Sequence, residues 1–83
     1  MKPNQIARDA ILEVVDNQIK SGDPPETRVT YKRLLEAGIA EPEVKRLIAC
    51  VVASEMFEIM RSERAFDLDR FVKALNRLPE LPN

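Results

Sequence analysis

Two polar side chains fall where helical spacing expects apolar ones, and both sit where chemistry would be least ordinary. Glu55 lies between Val51, Val52 and Ile59, and Gln18 follows Ile11, Val14 and Val15 by about one turn. A carboxylate buried without a partner is too costly to keep charged, so Glu55 requires a donor, a raised pKa or contact with water. As a functional site it would handle a proton or give one ligand to a metal. As a structural group it would make an interior hydrogen bond, with Gln18, Tyr31 or an arginine, that fixes helix register. The chain has no histidine, and one interior carboxylate does not supply the ligand set of a di-metal bundle site. The structural reading is therefore preferred, with Gln18 and Glu55 as a candidate interior polar pair.

The other reactive residue types lead away from catalysis. Cys50 is the single cysteine, so no internal disulfide forms, and no imidazole is present to activate the thiol. On a mostly apolar segment it reads as a small packing residue. Asp9, Glu13 and Asp16 recur on one helix face, but Arg8 and Lys20 stand nearby, which is the pattern of a solvated surface. Glycine-rich phosphate loops, CxxC pairs and nucleophile elbows do not occur. The expectation is a chain that is not an enzyme, with no catalytic residue, no metal and no cofactor, and with no small-molecule ligand indicated.

Four basic residues, Lys32, Arg33, Lys45 and Arg46, flank a helical hairpin that runs from Thr30 through Gly38-Ile39 to Ile48. A glycine closing one helix, an aliphatic turn residue and an apolar restart also occur in DNA-binding helix-turn-helix units. Here Leu34 stands where that motif wants a small residue, and the second helix opens on Glu41, Pro42 and Glu43, carboxylates that would face phosphate unfavourably. A net charge of -1 adds no general pull toward nucleic acid. A nucleic-acid-binding hairpin on those four residues is the alternative reading, and the disfavoured one.

The positions of these groups follow from the elements that carry them. The spacing predicts four helices, at about 4–21, 24–37, 42–61 and 68–78, followed by an extended tail over 79–83. In the first, Ile6, Ala7, Ala10, Ile11, Val14, Val15 and Ile19 recur at three- and four-residue steps, and Gly22 supplies the left-handed residue that ends it. The second starts on Asp23-Pro24-Pro25-Glu26, where Asp23 is the expected cap and Glu26 completes a capping box. Because Pro24 precedes another proline, the start slips as far as Thr27 in the alternative register. Val29, Tyr31, Leu34, Leu35 and Ala37 form its expected apolar side, and Gly38 its end. In the fourth helix Asp67 is the cap, with Phe66 and Phe71 at the positions of a hydrophobic staple.

The third helix stands apart. Val44, Leu47, Ile48, Val51, Val52, Met56, Ile59 and Met60 make a broad apolar face, and Ala49, Cys50, Ala53 and Phe57 extend it most of the way round. One packing contact needs a stripe of only about 100°, so this helix is either enclosed by neighbours or covered in part by another subunit. Phe57 and Met60 are the expected interface residues in the second case.

Taken whole, 83 residues with 45% hydrophobic and 33% charged content describe a single globular domain spanning 1–83. No apolar run approaches the ~20 residues needed to cross a bilayer, and Met1 to Gln5 lack the apolar stretch of a signal peptide; the expectation is a cytoplasmic protein without membrane contact. From about Asn17 to Pro79 the chain resembles a family of small bacterial proteins classed as a domain of unknown function. The likeness rests on Gln18, Asp23-Pro24-Pro25-Glu26-Thr27, Arg33-Leu34, Gly38-Ile39, Glu43, Ile48-Ala49, Glu55 and Phe66-Asp67-Leu68-Asp69-Arg70-Phe71. Ala40 departs from it, since a serine or threonine often caps the next helix there. The resemblance implies a helical domain and brings no activity or site. The expected fold is all-α, a compact four-helix bundle with a central, largely buried third helix, and the expected function is a non-catalytic helical interaction module that binds a protein partner or itself.

Overall fold

Apolar residues spaced for four helical faces must bury those faces against one another, and the computed structural model, which describes residues 3–82, places them in an all-α bundle. The helices are α1 (Pro3–Ser21), α2 (Pro25–Glu36), α3 (Glu41–Ser62) and α4 (Leu68–Arg77). The apolar-face assignment of Ile6 and Ala7, and the tail residue Asn83, fall outside the described residues and side chains. The centre is made by Val15 of α1, Leu34 of α2, Val44, Leu47, Ile48, Val51 and Val52 of α3, Phe71 and Leu75 of α4, and Leu78 beyond it. α3 packs against all three other helices, and so does α2, whereas the backbones of α1 and α4 do not come close among the described residues.

The punctuation explains the boundaries. Gly22 (φ 69°) and Gly38 (φ 91°) take the left-handed conformation that stops α1 and α2 at low steric cost. At Gly22 the amide donates to the Gln18 carbonyl at 2.9 Å. α2 begins one residue later than the Asp23 cap suggests: its N-cap is Pro24, in extended conformation (ψ 148°), with Pro25 in the first turn. A residue that precedes proline is driven out of the helical region, and that restriction outweighs the capping pattern. α3 starts after Ala40 without a side-chain cap, again with a proline in the first turn, and ends on left-handed Glu63. α4 is capped as its sequence indicates, with the Asp67 carboxylate accepting from the Arg70 amide at 3.1 Å.

Three packing details differ from the hydropathy pattern. On α2 the buried positions are Thr27, Thr30 and Leu34, while Val29 is 64% exposed; the inward face is set by how α2 packs against α1, α3 and α4, and two threonines occupy it. The chain after α4 does not run straight out. It turns at Leu78–Glu80, closed by the Glu80 amide on the Arg77 carbonyl at 2.9 Å and by the Arg77–Glu80 ion pair at 2.8 Å. On α3 burial stops at Glu55: Met56, Phe57 and Met60 lie exposed, so the third helix is central along its first three to four turns and open on one side beyond them.

Candidate functional site

Glu55 is buried, with only 6% of its surface accessible, and its carboxylate is fully engaged. The Arg70 guanidinium approaches it side-on, Nε donating to Oε2 at 2.8 Å and Nη2 to Oε1 at 2.7 Å. The Asp67 amide donates to Oε1 at 3.2 Å. The paired guanidinium, aided by that amide, holds the carboxyl below its ordinary pKa against the opposing effect of burial. A group with these partners is charged at neutral pH and saturated with donors, the reverse of a poised acid or base. The arrangement ties α3 to the first turn of α4: Asp67 caps α4, and Phe66 stacks on Phe71 in a tilted geometry at 5.6 Å between ring centroids.

Gln18 and Glu55 line one small cavity of about 170 Å³, with Val14, Val52, Met56, Ile59, Phe66 and Phe71, yet each bonds elsewhere. The Gln18 Oε1 accepts from the Thr27 hydroxyl at 2.9 Å, so its polar end is used to join α1 to α2. The sequence reading put these two residues in the same interior place but did not identify Thr27 or Arg70 as their partners. A signal for Arg70 existed, since an arginine three residues after a capping aspartate is held at the helix start from which it reaches α3.

Three of the four basic residues of the hairpin serve different neighbours. Arg33 donates to the carbonyls of Leu75 and Leu78, both at 3.0 Å, closing the C-terminal end of α4. Lys45 pairs with Asp16 of α1 at 2.9 Å, and Arg46 with Glu43 at 2.7 Å. Lys32 is exposed and makes no ion pair among the described residues. One of the α1 carboxylates therefore joins helices: Asp16 reaches α3, while Asp9 and Glu13 are exposed. Among the described residues no group of three or more His, Cys, Asp or Glu side chains is disposed to hold a metal ion, and no helix is long and apolar enough to cross a membrane.

The largest departure from an ordinary surface is on α3. Phe57 is 63% exposed, Met60 78% and Met56 44%. N-terminal to them on the same helix, Ala49, Cys50 and Ala53 form one wall of a cleft of about 540 Å³, and Ile11 and Leu12 of α1 form the other, with Arg8, Lys45 and Arg46 along its rim. Cys50 is half-buried in this wall, and among the described residues its polar approach is the Arg46 guanidinium, 3.9 Å from Sγ. The cleft and the projecting residues adjoin along one helix, so the apolar surface continues from a groove to a ridge. Large apolar side chains grouped in this way mark contact surfaces on soluble domains. Compared with protein-family models, curated proteins and solved structures, the chain finds no match in any of the three.

Proposed function

We propose that this chain is a small, non-catalytic, cytoplasmic helical interaction module that associates with itself through the outer apolar surface of α3. The observation that carries this reading is the exposure of Phe57 and Met60, with Met56 beside them, on a helix whose opposite side already fills the core. Neither residue contributes to the buried cluster, so stability of the single chain does not account for them. Aromatic and methionine side chains are enriched at the centres of protein interfaces. The ion-paired state of Glu55, and the separate engagement of Arg33, Lys45 and Arg46, leave this surface as the stronger candidate for recognition.

The test is the mass of the protein in solution. Sedimentation equilibrium across micromolar concentrations is expected to show reversible association of the natural chain. The double substitution Phe57→Glu with Met60→Glu is expected to leave a monomer with unchanged helicity, because both positions face outward. A natural chain that stays monomeric throughout would overturn the reading.

A further inference from the structure

The core-facing residues of α3, Val44, Leu47, Ile48, Val51, Val52 and Glu55, occupy one side of the helix. At 100° per residue, Cys50, Ala53, Phe57 and Met60 fall together on the opposite side. Their steps of three, four and three residues are those of a coiled-coil seam, the spacing that keeps a stripe turned toward one straight or gently coiled partner helix. α3 thus carries two apolar stripes, one used inside the chain and one with a helix-pairing period outside it.

The outer stripe is also divided by size. Its first half is recessed, with Cys50 and Ala53 in the cleft beside Ile11 and Leu12. Its second half projects, with Phe57 and Met60 mostly exposed. We infer that the partner is a second copy of this chain, paired through α3 about a two-fold axis in antiparallel register, so that Phe57 and Met60 of each copy enter the cleft of the other.

Resting on the self-association reading, this inference adds the direction and register. Antiparallel pairing centred on Glu55 sets Ala53 opposite Phe57 of the second copy and Cys50 opposite its Met60, so small meets large at each layer. Parallel pairing sets Phe57 against Phe57 and Ala53 against Ala53, which crowds one end and leaves both clefts empty; close packing disfavours both faults. A two-fold contact is also closed, so it ends at a dimer. The projecting residues supply part of the area that such a pair needs, and the cleft walls must supply the rest. Phe57, Met60 and Met56 expose 63%, 78% and 44% of their surfaces, which at about 200 Å² for a large side chain is roughly 370 Å² per copy. That is close to half of the ~800 Å² each partner gives to a standard interface, before the cleft walls are included.

The sole cysteine makes the register measurable. In the antiparallel pair the two native Cys50 residues lie about 15 Å apart along the helices, too far for a disulfide. Met60→Cys places a new thiol opposite Cys50 of the second copy at a highly exposed position. Under mild oxidation above the association midpoint, this variant is expected to form roughly tenfold more covalent dimer than the natural chain, on a non-reducing gel. Sedimentation of the same variant under reducing conditions reports whether it still associates. A variant that associates when reduced but does not cross-link overturns the register while the self-association reading stands. So does a cross-link that persists when Cys50→Ala is added to Met60→Cys, because it then joins the two new thiols to each other, the mark of parallel pairing. If neither protein associates at any concentration, the inference and the proposed function fall together.

Discussion

The Glu55–Arg70 contact allows the most direct test of how this fold is held. In Glu55→Gln the shape is kept and the charge removed. Three donors point at the native carboxylate, two from Arg70 and one from the Asp67 amide. Breaking a fully buried ion pair by deleting one partner costs about 3–5 kcal/mol. Arg70 is more accessible than that, with 36% of its side chain exposed, and regains water when the pair is lost. The glutamine keeps one acceptor oxygen but turns its amide nitrogen toward a guanidinium. The expected loss is therefore about 2 kcal/mol, and for a domain of this length about 10 °C in the unfolding midpoint.

The pH dependence separates this from a loss of packing. Because the folded carboxyl is held below its ordinary pKa, its contribution is fully present above the unfolded value near ~4.3 and is lost as pH falls below that value and through the folded one. Urea unfolding at pH 7 should show the full difference between natural chain and variant, and the gap should narrow progressively as pH falls below ~4.3. Adding Arg70→Met to Glu55→Gln should cost little further, since each removes the same contact. The reasoning fails if the variant is as stable as the natural chain at pH 7, or if the gap persists unchanged in acid. Sedimentation of Glu55→Gln should show association weakened but not abolished, since the carboxylate lies off the outer stripe and only braces the helix that carries it.

Two further outcomes follow from the helix ends. Gly38→Ala should destabilise by about 1 kcal/mol in thermal or urea unfolding: the new methyl meets open space, so the cost comes from the backbone, held at φ 91°. Arg33→Met should lower stability by about 1 kcal/mol by releasing the carbonyls of Leu75 and Leu78 at the end of α4, whereas Lys32→Gln, at an exposed position, should leave the unfolding curve within about 0.5 kcal/mol of the original.

Much of the architecture was legible because its signals are local. Gly22 and Gly38 end helices by their own φ, Asp67 caps α4 with its own side chain, and a 22-residue α3 announces itself by its period. What escaped depends on how helices lean on each other. Thr27 and Thr30 are buried while Val29 is exposed, because the tilt of α2 chooses which positions face inward and the hydropathy of a residue does not. Glu55 could be recognised as needing a donor. That the donor is Arg70, fifteen residues on, required the α3–α4 turn to be in place. Phe57 was undecidable from spacing alone, since apolar residues nearly encircle α3 and only the positions of α1 and α4 reveal which part of that circle stays uncovered.

These two observations bear on one another. The part of α3 that bears Phe57 and Met60 extends past its buried stretch, and a projecting helical segment of that kind would ordinarily fray. Here it is held on its inner side: Glu55 is clamped by Arg70 and the Asp67 amide, Phe66 packs on Phe71, and the Ser62 hydroxyl donates to the Glu58 carbonyl at 2.6 Å. A charge pair is a costly way to gain stability alone, but it fixes one register between α3 and α4. Rigid presentation lowers the entropy lost when a surface is bound. On the proposed reading the buried carboxylate would serve the exposed ridge: it ties the last turns of α3 to α4, so that Phe57 and Met60 would meet a partner as a preformed edge.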